Sequence, residues 1–179
     1  MTKQILLAAI LTFTSCIGAG QNSTIKSQAS YNYFPELIGI NLHGQEKKVP
    51  SELPGGKKLL IVAYQRAQQK DVDTWIDSID KVQSKIKDLK FYEIPLIEKG
   101  SAFFRFYVNN GMRSGITDEI RRGEVITVYT EVDKFLPLVR QKNTDLIKTF
   151  LLNSEGKILS EVEGRFSENN LALLSTVNE

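Results

Sequence analysis

The stretch Lys58-Leu59-Leu60-Ile61-Val62-Ala63-Tyr64 constrains this chain most. It is apolar almost throughout, without the alternation of a half-exposed strand. That is the pattern of a strand buried on both faces. Such a strand needs cover on each side, so it belongs inside a layered α/β sheet. The following stretch supplies cover. From Asp71 to Leu89, Val72, Trp75, Ile76, Ile79, Val82, Ile86 and Leu89 recur at threes and fours, which predicts one helix with an apolar face. Asp71 or Asp73 is placed to cap its start.

The rest of the chain continues the alternation. Leu37–Leu42 is a short apolar stretch closed by a turn at His43-Gly44-Gln45, and Pro50–Gly56 is a loop. Lys90–Leu96 reads as a strand ended by Pro95, which has no amide hydrogen to give a ladder. Ala102–Asn109 is aromatic and helical in pattern, Thr117–Arg122 is a short helix capped by Thr117 or Asp118, and Glu124–Tyr129 is a β-branched strand. Asp133–Arg140 is a helix interrupted or started near Pro137. Leu146–Leu152 and Lys157–Val162 form a hairpin across Asn153-Ser154-Glu155-Gly156, and Ser167 caps a last helix carrying Leu171, Leu174 and Val177. The expected fold is α/β, a three-layer sandwich on a mixed sheet with a C-terminal β-hairpin.

The 179 residues suffice for one ordinary domain, and 41% apolar residues can fill its core. A net charge of +2 gives no electrostatic case for a nucleic-acid partner. Cysteine is the informative residue. The chain has one, Cys16, so no internal disulfide staples it and no catalytic dithiol can form.

Cys16 also sits in a telling place. Lys3 precedes an apolar run, Ile5 to Phe13, too short to span a bilayer as a helix. The run ends in Phe13-Thr14-Ser15-Cys16, which resembles a bacterial lipoprotein cleavage box with phenylalanine where leucine is usual. The resemblance implies a signal peptide over residues 1–15, acylation of Cys16, a polar tether over 16–30 and a folded domain over 31–179. Stable anchoring needs more than one acyl chain.

Within that domain, Phe34-Pro35-Glu36-Leu37, Leu42-His43-Gly44 and Lys57-Lys58-Leu59-Leu60-Ile61-Val62 resemble the entry of the redoxin branch of the thioredoxin superfamily. Thr149-Phe150-Leu151-Leu152-Asn153-Ser154-Glu155-Gly156-Lys157-Ile158, followed by Glu163-Gly164, resembles its last hairpin. Gly111-Met112-Arg113-Ser114-Gly115-Ile116 and Thr127-Val128-Tyr129-Thr130 are similar to the thioredoxin-like assembly factors of the mitochondrial ATP synthase membrane sector. A lipoprotein box belongs to bacteria, so the resemblance implies the fold and chaperone-like binding without the mitochondrial role. It also implies where a dithiol would sit: after the first core strand, where this chain has Gln65-Arg66-Ala67-Gln68-Gln69-Lys70 and no thiol. The superfamily's facing cis-proline would fall near Asn143-Thr144-Asp145, which holds no proline. Peroxidase chemistry needs a thiolate too and fails with it.

Other chemistry has little footing. His43 is the one histidine and lies in a turn without a cluster of partners. Gly55-Gly56-Lys57 precedes a strand, whereas a phosphate loop follows one. Asp71/Asp73 and Asp77/Asp80 lack the spacing of a calcium loop. No metal or cofactor is expected. Tyr64, Gln65 and Arg66 at the former redox position, and Arg113, Arg121 and Arg122 with Arg105, are the candidate partner-binding residues. The leading expectation is a redox-inactive binding or assembly module at the cell envelope, its partner an envelope or membrane protein. An enzyme of non-thiol chemistry and a structural lipoprotein without a specific partner are the alternatives.

Overall fold

The computed structural model describes residues 32–98 and 119–176 of the chain. The first elements are β1 (Leu37–Asn41), β2 (Glu46–Val49) and β3 (Lys57–Ala63). A 3-10 turn at Arg66–Gln68 leads into α1 (Gln69–Asp77), α2 (Ile79–Lys85) and β4 (Leu89–Glu98). Then come α3 (Glu119–Glu124), β5 (Ile126–Thr130), α4 (Val132–Leu138), β6 (Lys148–Asn153), β7 (Ile158–Glu163) and α5 (Glu168–Ser175). The strands make one mixed sheet in the order β2-β1-β5-β4-β3-β6-β7. β3, β4 and β5 run parallel and the outer pairings are antiparallel.

Alternation along the strands builds two cores. Leu60, Val62, Ile94, Phe150 and Leu152 pack on one face with Phe135 and Val139 at α4. Leu59, Ile61 and Leu151 pack on the other with Val72 and Trp75 of α1, Val82 of α2, and Leu171 and Leu174 of α5. Leu59 to Val62 are wholly buried, as expected of a central strand covered on both sides. Trp75 is fully buried; its indole N–H donates to the Gly164 carbonyl at 3.1 Å, and its ring meets Phe166 edge-on at 5.3 Å. Gly39 is a close-approach site, since a Cβ there would lie 2.5 Å from Ile126 Cγ2.

The helix expected to break or start near Pro137 runs unbroken through it from Val132 to Leu138. The C-terminal hairpin and the capped helix after it follow expectation, with Val177 lying outside the described residues. The hairpin turns at Asn153–Gly156 with Gly156 at positive φ, and Ser167 accepts the Asn170 amide hydrogen at 3.1 Å to cap α5. At the other end of the described chain, Asn32 to Phe34 run beside that hairpin. Ile158 N–H donates to the Asn32 carbonyl at 2.7 Å and Phe34 N–H to Gly156 at 3.0 Å.

Four further expectations need correction. The single helix over Asp71–Leu89 is two helices broken at Ser78, whose φ of −101° and ψ of 7° leave the helical basin. Gln68, and neither Asp71 nor Asp73, occupies the N-cap of α1, and Leu89 already belongs to β4. Pro95 does not end β4: it pairs with Ala63, the last residue of β3, and β4 continues to Glu98 beside β5. Finally, β1 turns back through His43 into β2, a charged edge strand that apolar patterning alone passes over. The aromatic helix expected at Ala102–Asn109 lies outside the described residues, as do the caps Thr117 and Asp118.

Candidate functional site

The end of β3 is where the sequence pointed, and three glutamines are used there. Gln68 is buried, 5% exposed. Its Oε1 accepts the backbone N–H of Tyr64 at 2.8 Å and of Gln65 at 3.1 Å. Its Nε2 donates to the Thr144 carbonyl at 2.7 Å. Gln65 reaches the same residue more loosely, its Nε2 lying 3.4 Å from the Thr144 carbonyl and 3.3 Å from Oγ1. From across the loop, Gln141 accepts the Tyr64 hydroxyl hydrogen and donates to the Leu146 carbonyl at 2.9 Å. The result is a clasp of amides closing the β3 end onto the loop before β6.

The loop is pinned from its other side by Lys148. That side chain is 3% exposed, an unusual burial for an ammonium group. Its Nζ donates to the Val139 carbonyl at 2.9 Å, at the carbonyl end of α4, and lies 3.2 Å from Glu161. The cation satisfies a helix terminus and a carboxylate together. Burial, with the negative charge of Glu163 adding, pushes the Tyr64 phenol far above its ordinary range. Tyr64 therefore stays a neutral hydrogen-bond donor and is no general base at neutral pH.

A second polar group lies one residue along. Gln69 Nε2 is 3.4 Å from Glu93 Oε1, and Glu93 Oε2 is 3.4 Å from Arg121 Nη2. Among the described residues no group of three or more His, Cys, Asp and Glu side chains could hold a metal ion.

The five candidate binding residues that the structure describes fall into two groups. Tyr64 and Gln65 belong to the clasp, and Arg66 stands exposed at its rim. Arg121 and Arg122 sit on α3, just ahead of β5, and Arg121 reaches the clasp region indirectly, through the Glu93 carboxylate that Gln69 also contacts. Arg121 is tied to Glu93, and Arg122 pairs with Glu119 at 3.0 Å. Arg113 and Cys16 lie outside the described residues.

No family model matches the chain, and no curated protein matches its sequence. Solved structures do match. One is a candidate electron transfer protein of Aquifex aeolicus VF5, 18% identical with a TM-score of 0.52, over 80% of this chain and 96% of that one. Another is the pneumococcal exposed lipoprotein thioredoxin Etrx1 of Streptococcus pneumoniae strain TIGR4, 12% identical at TM-score 0.50, over 77% of this chain and 96% of that one. A third is a candidate protein disulfide isomerase of Bacteroides thetaiotaomicron, 15% identical at TM-score 0.50, covering 83% and 87%. The fold is thioredoxin-like.

The amide clasp is built on the stretch Gln65–Lys70, where the sequence resemblance implies a dithiol. The cis peptide bond among the described residues is Val49–Pro50, after β2, and Thr144 is the residue that faces the clasp. Gln68 and Gln141 were missed from sequence. Their signal was faint: a polar run after a buried strand, with its partner loop 76 residues away.

Proposed function

We propose that this chain is a thiol-free, thioredoxin-like binding or assembly module, held at a bacterial membrane through acylated Cys16. One observation carries the reading: Gln68 is buried where the thiol chemistry would lie, and both ends of its amide are bonded. A buried amide with its hydrogen bonds made is a structural group, neither nucleophile nor base. Contact is what this end of the domain has left to offer. Arg66 stands at the clasp rim, and Leu138 and Leu146 flank Gln141 with 38% and 46% of their surface exposed. A cation and two exposed leucines suit a partner polypeptide that offers acidic and apolar side chains.

The purified mature chain should reduce insulin disulfides no faster than buffer, and turnover of insulin or peroxide would sink the thiol-free reading. In native membranes, a photocrosslinker at Leu146 should capture one discrete partner, with Arg66→Glu lowering the yield about tenfold. An unchanged yield removes the docking face. Arg121 is a poor choice for that experiment, because reversing its charge also breaks the tie to buried Glu93. For the anchor, radiolabelled fatty acid should enter the wild-type chain and not Cys16→Ala; an unlabelled wild type rejects it.

A further inference from the structure

The β1–β2 hairpin and the loop after it close on the starts of β4 and β5 around a cavity of about 330 Å³. Lys90 and Tyr92 of its lining pair with Lys58 and Leu60 in the first half of β3. The amide clasp closes the far end of that strand, so the cavity is separate from the docking face at Arg66, Leu138 and Leu146. Its volume is at the lower end of the range for small-molecule pockets, about 300–1,000 Å³.

Sheet geometry gathers the lining on one face. Lys90 and Tyr92 alternate along β4 with one residue between them, so their side chains share a side. Asn41 and Ile126 lie opposite one another across β1 and β5, and Lys47 of β2 lies opposite Gly39 of β1. Cross-strand partners share a face too, which brings Lys47 to the side of Asn41 and Ile126. Tyr92 and Ile126 belong to the same core cluster. Leu53, Pro54 and Ile126 make the apolar part of the lining, with the Tyr92 ring beside them.

The polar groups of the lining divide into those already used and those left over. The Tyr92 hydroxyl donates to the Pro54 carbonyl at 2.9 Å. Asn41 Nδ2 donates to Gln45 Oε1 at 3.0 Å, and Glu52 Oε2 accepts the Lys48 N–H at 3.0 Å. His43 is held by Glu119, with Nε2 3.1 Å from its carbonyl and Nδ1 3.6 Å from its carboxylate. Lys47, half-buried, and Lys90 are different. Among the described residues neither ammonium, nor the Gln45 amide nitrogen, has a hydrogen bond or an ion pair. Two cations and an amide donor thus line one cavity without an acceptor.

We propose that this cavity binds a small organic monoanion, its acid group taken by Lys47 and Lys90 and its apolar body laid against Leu53, Pro54 and Ile126. A carboxylate accepts charge-assisted hydrogen bonds from both ammonium groups. An apolar tail on it leaves water for the Leu53, Pro54 and Ile126 wall. Glu52 and Glu124, also in the lining, limit the charge the ligand can carry. The Glu124 carboxylate is already felt inside: burial first, and Glu124 second, push the Tyr92 phenol up to about 12. A second negative charge on the ligand would meet both carboxylates. A carboxylate with a short apolar tail therefore fits better than a phosphate ester.

Amide NMR of the full chain tests it, with hexanoate, hexanamide and hexyl phosphate as probes. Hexanoate should shift the Gln45, Lys90 and Ile126 amide signals in a saturable way. Hexanamide, of the same size without the charge, should bind about tenfold more weakly or less. Lys47→Gln and Lys90→Gln should each weaken hexanoate about tenfold, the loss of one charge-assisted hydrogen bond. Lys157→Gln removes the same charge from the exposed hairpin turn and should leave the affinity alone. No saturable shift, equal affinity for acid and amide, or full affinity in both cavity variants overturns the site. Tighter binding of hexyl phosphate than of hexanoate overturns the monoanion assignment.

Discussion

Gln68→Ala should lower the unfolding free energy by about 3 kcal/mol, read from urea denaturation with an unchanged m-value. Alanine removes three part-buried hydrogen bonds at once, those to the Tyr64 and Gln65 amide hydrogens and to the Thr144 carbonyl. Each such bond contributes about 1 kcal/mol. Gln65→Ala is the internal comparison. Its side chain is exposed and its contacts lie at 3.3 and 3.4 Å, so its loss should cost well under about 1 kcal/mol. The contrast tests whether the clasp is a structural tie centred on one amide. Equal small effects would mean that water fills the Gln68 position and the end of β3 is looser than its geometry implies.

Trp75→Ala should be costlier still, about 3–5 kcal/mol, which approaches the whole stability of many domains. The indole is wholly buried between the sheet and α5, stacks edge-on with Phe166, and ties α1 to Gly164 through its N–H. Alanine leaves a cavity and an unpaired carbonyl together. Trp75→Phe separates the two terms, keeping most of the ring and stranding the Gly164 carbonyl, for about 1–2 kcal/mol. A small effect of Trp75→Ala would mean that this face of the core can collapse around the gap.

These two residues differ in how far sequence could reveal them. Trp75 was legible because its neighbours at threes and fours are apolar, and the same periodicity gave the face that α1 buries. That periodicity also concealed a break, because the apolar spacing runs through Ser78 while the backbone does not. Strand β3 was legible from its unbroken apolar run, the C-terminal hairpin from its turn, and α5 from its capping serine. β2 was not, since an edge strand is kept soluble by charges such as Glu46 and Lys48 that remove the apolar signal. The site was half legible. Resemblance led to Tyr64 and Gln65, and the absence of thiol followed from counting one residue type. The partners Gln141 and Thr144 depend on a meeting of segments far apart in the chain, which local pattern does not encode.

Phe34 N–H donates to the Gly156 carbonyl and Ile158 N–H to the Asn32 carbonyl, which sets the start of the described chain beside the hairpin tip at Asn153–Gly156. The amide clasp crowns the other pole, a strand of seven residues away, or about 23 Å. The point where the described chain begins and the amide clasp thus lie at opposite ends of β3. A partner that meets Arg66 at the clasp rim does not have to pass that entry point.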